Sequence, residues 1–148
     1  MTDELTLHLE RRLRARRPEV FAAHVDADEL ARWWGPKGFT ARIVDLDVRV
    51  GGRYRIVMQP PDGATFALSG VYRAVDPPAR LVYTFAYDDP DPDDRETIVE
   101  FSLRDLGDET EVTVEQGPFA TEARRALHQQ GWTEILDRLE DVTTNRRR

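Results

Sequence analysis

From Phe39 to Gln116 apolar residues recur at every second position between short turns, and after Gly117-Pro118 the spacing changes to three and four. That change constrains the fold more than any other feature of the chain. A period of two marks a strand with one buried face, and a period near 3.6 marks a helix with a buried stripe. Tyr54, Ile56 and Met58 share one strand face; Phe66, Leu68, Gly70 and Tyr72 share the next; Leu81, Tyr83, Phe85 and Tyr87 follow. Val99, Phe101 and Leu103, then Val112 and Val114, complete the series. Ala41 to Val48 alternates less cleanly through Ile43, Val44, Leu46 and Val48. Turns at Gly51-Gly52, Pro60-Pro61-Asp62-Gly63, Asp76-Pro77-Pro78 and Gly107-Asp108 are short enough to make an antiparallel meander.

Leu5, Leu7, Leu9 and Leu13 predict one more strand at the start, with Arg11 turning its apolar face polar near the end. Pro18 suits the first turn of a short helix, where its missing N–H has no partner to lose. Asp26 or Asp28 can cap a second, Glu29 to Trp34, which Gly35-Pro36 stops. Thr121 can cap a long helix whose stripe is Ala123, Leu127, Trp132, Ile135, Leu136 and Leu139. The order predicts an α+β fold: a curved seven-stranded antiparallel sheet around a long C-terminal helix, with two short helices after the first strand. A sheet apolar on one side is covered on one side only. A bent sheet gripping one helix cannot close at both ends, so the geometry predicts a cavity between them. The length suits one domain over residues 1–148, with the packed core at about 5–142 and a frayed tail at 143–148.

Composition removes whole classes of function. The chain has no cysteine, which excludes disulfides, thiolate catalysis and Cys-ligated metal. Its net charge of −7 argues against a general nucleic-acid binder. No apolar run reaches membrane-spanning length, and the opening Met1-Thr2-Asp3-Glu4 lacks a signal core, so a cytoplasmic location is expected. Basic charge is nearly all arginine, with Lys37 the one lysine, a bias expected of a GC-rich, bacterial genome.

No motif signals catalysis, a metal or a cofactor. His8, His24 and His128 are too scattered for a helical zinc motif. His8 takes the polar side of its strand, and His24 ends a short helix, where a cation is favoured. Gly51-Gly52 lacks a phosphate-loop spacing and reads as a turn needing positive φ. Asp88–Asp94 lacks calcium-loop spacing and reads as a solvated loop. The aromatic side chains can either fill a core or wall a pocket. The pocket alternative draws on Trp34, Phe39, Tyr54, Met58, Phe66, Phe85 and Trp132, with Tyr83 or His128 as polar contacts. His128 precedes Trp132 by four and so shares its helix face.

Specific residues also carry a resemblance. They are Trp33-Trp34-Gly35-Pro36 with Phe39, Gly51-Gly52-Arg53-Tyr54, Gly70-Val71-Tyr72 before Pro77-Pro78-Ala79-Arg80-Leu81-Val82-Tyr83-Thr84-Phe85, and Gly131-Trp132 with Leu136 and Leu139. In that order they resemble the START/Bet v 1-like (SRPBCC) superfamily, and within it the proteins like the activator of Hsp90 ATPase (AHSA1-like). The resemblance spans about Leu5 to Val142. One departure is Ala15-Arg16-Arg17-Pro18, where an Ala-Pro pair is usual. The resemblance implies the helix-grip fold and a cavity for a small apolar or aromatic ligand. It also implies two alternatives: a polyketide cyclase or dehydratase using the cavity, and a chaperone-partner role. A shared fold does not by itself carry function across. The exposed strand edges leave a homodimer open.

Overall fold

The computed structural model describes residues 5–146. β1 (Leu7–Leu13) leads into α1 (Arg17–Val25) and α2 (Ala27–Trp33). Six strands follow: β2 (Thr40–Leu46), β3 (Arg53–Gln59), β4 (Phe66–Asp76), β5 (Arg80–Tyr87), β6 (Thr97–Asp105) and β7 (Thr110–Gly117). α3 (Glu122–Arg146) ends the chain. The seven strands form one antiparallel sheet in the order β1-β7-β6-β5-β4-β3-β2, the helix-grip arrangement expected. β1 and β2, neighbours in sequence, lie on opposite edges, and β1 pairs Leu7 with Gln116 of β7.

Local chemistry sets the helix starts. Pro18 sits in the first turn of α1, and the Glu19 carboxylate accepts the Arg16 N–H at 3.3 Å. Asp26 caps α2 by accepting the Glu29 N–H at 3.1 Å, and the Thr121 hydroxyl oxygen caps α3 by accepting the Arg124 N–H at 3.1 Å. A register shift between Ile43 and Asp45 explains the untidy alternation of β2, and a second falls between Tyr72 and Ala74 of β4. Such bulges bend a strand and increase its twist. Gly51 supplies the positive φ of the β2–β3 turn, at 85°, whereas Gly52 is needed for space: a Cβ there would lie 2.0 Å from the Asp47 carbonyl oxygen.

Several expectations are corrected. The apolar stripe of α3 is buried at Trp132, Ile135, Leu136 and Leu139 but not at its start, where Ala123 is exposed and Leu127 is 58% exposed. The first turns of α3 border an opening instead of the sheet. Residues 143–146 are helical rather than frayed, and Thr143 is buried with its hydroxyl donating to the Leu139 carbonyl at 2.8 Å; Arg147 and Arg148 lie outside the described residues. His24 is not a solvated cation at its helix end: it is buried, its ring tilted against Phe101 with centroids 4.2 Å apart and edge-on to Trp33 at 4.6 Å. Arg11 turns its strand face polar by pairing with Asp137 at 2.6 Å and Glu140 at 3.3 Å on α3. Among the described residues no helix is long and apolar enough to cross a membrane.

Candidate functional site

A cavity of about 630 Å³ lies between α3 and the sheet, within the size range of small-molecule sites. Its walls come from the ends of elements. Trp34 and Pro36 follow α2, Phe39 precedes β2, Met58 closes β3, Phe66 and Leu68 open β4, and Phe85 and Tyr87 close β5. α3 contributes His128, Gly131, Trp132 and Ile135. The mouth lies where exposed liners gather: Phe66, Leu127, Asp89, Asp91 and Gln130.

The indoles are held from behind. Trp132 donates its N–H to Gln116 Oε1 at 2.8 Å, and Gln116 in turn donates to the Thr97 hydroxyl at 2.9 Å. Trp34 meets Trp132 edge-on with ring centroids 5.8 Å apart, and Trp33 backs Trp34 at 5.7 Å. A buried N–H that is already satisfied leaves the Trp132 ring face as its contribution to the cavity. The turn carrying Trp34 is fastened to α3 by Arg138. Its Nη1 donates to the carbonyls of Trp34, Gly35 and Pro36 at 3.2, 2.8 and 3.1 Å, and its Nη2 to that of Arg32 at 3.0 Å. Burial lowers the Arg138 pKa, a direction consistent with a guanidinium drawn out of water. Gly35 has φ of 101°, and a Cβ on it would lie 2.4 Å from Met58 Cε. Replacing Arg138 by alanine should cost about 2 kcal/mol of stability, since four charge-assisted bonds to part-buried and exposed carbonyls are lost. Denaturant titration measures the loss, and retention of the full stability would refute the fastening role.

A neutral polar pair faces the cavity, apart from the charged residues that line it. The Tyr87 hydroxyl and His128 Nε2 are hydrogen-bonded at 3.3 Å, the donor being set by the histidine tautomer. Phe85 and Phe119 flank the imidazole at 5.6 and 4.9 Å. Burial first, then the charge of Arg124, lowers the His128 pKa to about 4. Burial raises that of Tyr87 to about 12. Both groups are therefore neutral at pH 7.

The loop between β5 and β6 is not merely solvated. Arg124 of α3 pairs with Asp91 and, through Nε, with Asp93 and Asp94 at 3.2 Å each. The Thr121 hydroxyl also reaches Asp93 at 3.3 Å. The hydrogen bond from Arg124 lowers the Asp93 pKa. Among the described residues no group of three or more His, Asp or Glu side chains is placed to hold a metal ion.

Of the residues singled out from sequence, Trp34, Phe39, Met58, Phe66, Phe85, His128 and Trp132 line this cavity. Tyr54 and Tyr83 do not, which corrects the expectation. They border a separate gap of about 10 Å³ together with His24 and Tyr72, and the Tyr54 hydroxyl donates to the Thr84 carbonyl at 2.7 Å. The Tyr83 hydroxyl and His24 Nε2 are buried without a hydrogen-bond partner among the described residues. A gap of that size is about one water.

Comparison with known proteins places the chain. The family model described as activator of Hsp90 ATPase homolog 1-like protein matches residues 14–144. The chain belongs to that family. The AHSA1-like chain also matches solved structures over nearly its whole length. A crystal structure of a Chromobacterium violaceum protein is 27% identical, covers 94% of this chain and 96% of its own, and superposes with a TM-score of 0.87. The AHSA1 protein of Silicibacter pomeroyi is 29% identical, with 92% and 95% coverage and a TM-score of 0.78. A solution structure from Arthrobacter aurescens, 21% identical with a TM-score of 0.85, shares the fold. No curated protein matches the AHSA1-like chain significantly.

Proposed function

We propose that the protein binds a small hydrophobic or aromatic molecule in the cavity between the sheet and α3. The observation that carries this reading is the cavity itself: about 630 Å³, walled largely by aromatic, methionine and aliphatic side chains, with the Tyr87–His128 pair and a set of charged residues as its polar lining. Removing apolar surface from water supplies ~25 cal/mol per Å² of driving force, before the cost of association is counted.

Gly131 offers a test that leaves the fold alone. It lies on α3, lines the cavity, and a Cβ there would meet only Pro36, at 3.8 Å. Glycine inside a helix is about 1 kcal/mol worse than alanine. Gly131→Leu should therefore keep or raise stability while occupying the cavity. Binding of the neutral dye N-phenylnaphthylamine, which fluoresces in apolar surroundings, should weaken about tenfold or more, equivalent to 1.4 kcal/mol. A wild-type protein that never enhances the dye's fluorescence would count against the reading.

A second reading, catalysis in the same cavity, is favoured by one observation: Tyr87 and His128 form the kind of reachable polar pair that an acid–base step needs. Their pKa values of about 12 and about 4 stand far from neutrality, however. Efficient proton transfer calls for a pKa near the working pH. The pair is better suited to hydrogen-bonding a ligand. The chaperone-partner alternative gains little from the described surface: outside the cavity mouth the large exposed apolar residues are Val25 on α1, Val44 on β2, Val50 in the β2–β3 turn and Ile98 on β6.

A further inference from the structure

The charges around the cavity mouth define what kind of molecule can enter. Among the described residues that line it, Arg124 is the one cation, and three aspartates already engage its guanidinium. Asp89, Asp91, Asp94 and Glu134 also line the cavity, so carboxylates outnumber the guanidinium four to one. Glu134 Oε2 accepts the Gln130 amide N–H and Oε1 the Lys37 N–H, each at 3.0 Å; these bonds, and then the nearby Lys37 charge, lower its pKa, which keeps it a carboxylate. The deeper polar corner, Tyr87 with His128, adds no positive charge at neutral pH. An entering carboxylate, sulfonate or phosphate would meet like charge at the rim and give up its hydration without gaining a cationic partner inside, a combination that costs several-fold to many-fold in affinity.

We infer that the cavity is selective for uncharged ligands: an aromatic or alicyclic body against Trp34, Met58, Phe85 and Trp132, with one hydroxyl, carbonyl or amine N–H group at Tyr87 and His128, anions being turned away. The inference rests on the binding role proposed above and adds the charge class of the ligand. It makes Asp89 and Asp91 specificity determinants and gives His128 a neutral contact.

Two dyes with one skeleton test it. N-phenylnaphthylamine is neutral, and anilinonaphthalenesulfonate differs by a sulfonate. At pH 7 and low salt the neutral dye should bind about tenfold or more tightly than the sulfonate, with competition between them showing a shared site. Raising the salt should strengthen sulfonate binding and leave the neutral dye nearly unchanged, because mobile ions screen exposed charge. The double substitution Asp89→Asn with Asp91→Asn, on an exposed loop, should narrow the gap between the dyes. His128→Leu should weaken the neutral dye about fivefold through the lost hydrogen bond, with little effect on the melting temperature. If neither dye binds, the binding role and the selectivity fall together. If both bind equally, if the sulfonate binds more tightly, or if the Asn variant leaves the gap untouched, the selectivity alone is overturned and the binding role stands.

Discussion

Stability against denaturant should fall steeply as the pH drops from about 6.5 to about 4. His24 is buried with its Nδ1 2.9 Å from the Val20 carbonyl, and burial lowers its folded pKa to about 4 from a usual 6.5. His128 is lowered to about 4 by burial and by Arg124. In that window the unfolded chain binds protons that the folded chain refuses, so stability is complete above the unfolded pKa and drains away as the pH falls. For His24 the loss is about 3 kcal/mol; His128 loses less, because solvent reaches part of its ring. His8 acts with the opposite sign. Hydrogen bonds to Glu115 and Glu10 raise its pKa, so its contribution is present in acid and lost as the pH rises; it is exposed and small. Urea midpoints between pH 7.5 and 4.5 would measure the drop, and His24→Leu should remove more than half of it. A wild-type midpoint flat across this range would rule out the neutral buried histidine.

Gly70→Ala should be the most damaging single-carbon change in the protein. A Cβ at this position would lie 1.8 Å from the Thr84 carbonyl oxygen and 2.6 Å from Tyr54 Cε2. The first obstacle is backbone in the neighbouring strand, which cannot yield without breaking the β4–β5 pairing. A loss of about 4 kcal/mol is expected, with β4 and β5 parting locally. Gly107→Ala is the control. It has φ of 88° but nothing near its missing Cβ, so only left-handed strain of about 1 kcal/mol remains. Comparable losses at the two sites would show that crowding at Gly70 is relieved elsewhere.

Alternation made the strands and their faces readable, but it says nothing about position along a strand. Tyr54 and Met58 share a face of β3, and only Met58, at the far end, lines the cavity. They are four steps apart along the strand, roughly 13 Å at strand rise. Tyr83 fails for the same reason, while Phe85 and Tyr87 at the end of β5 succeed. Tyr87 was therefore within reach of the sequence: it is the next same-face residue after Phe85. Arg124 was not, because its role depends on a loop that the fold brings back across α3 from more than thirty residues earlier. His24 was misjudged because a helix end exposed in isolation is covered here by Phe101 of β6.

The pairing of β1 also bears on how the chain is made. Its ladder partner is β7, and Arg11 finds its carboxylates on α3, so everything that β1 holds is synthesised last. A nascent chain emerging from the ribosome carries Leu7, Leu9 and Leu13 unsatisfied until residues beyond Thr110 have appeared. Contacts so distant in sequence form slowly and leave a hydrophobic edge open to other chains in the meantime. Truncations ending before β7 should accumulate as aggregates, because the first strand has been left without the last.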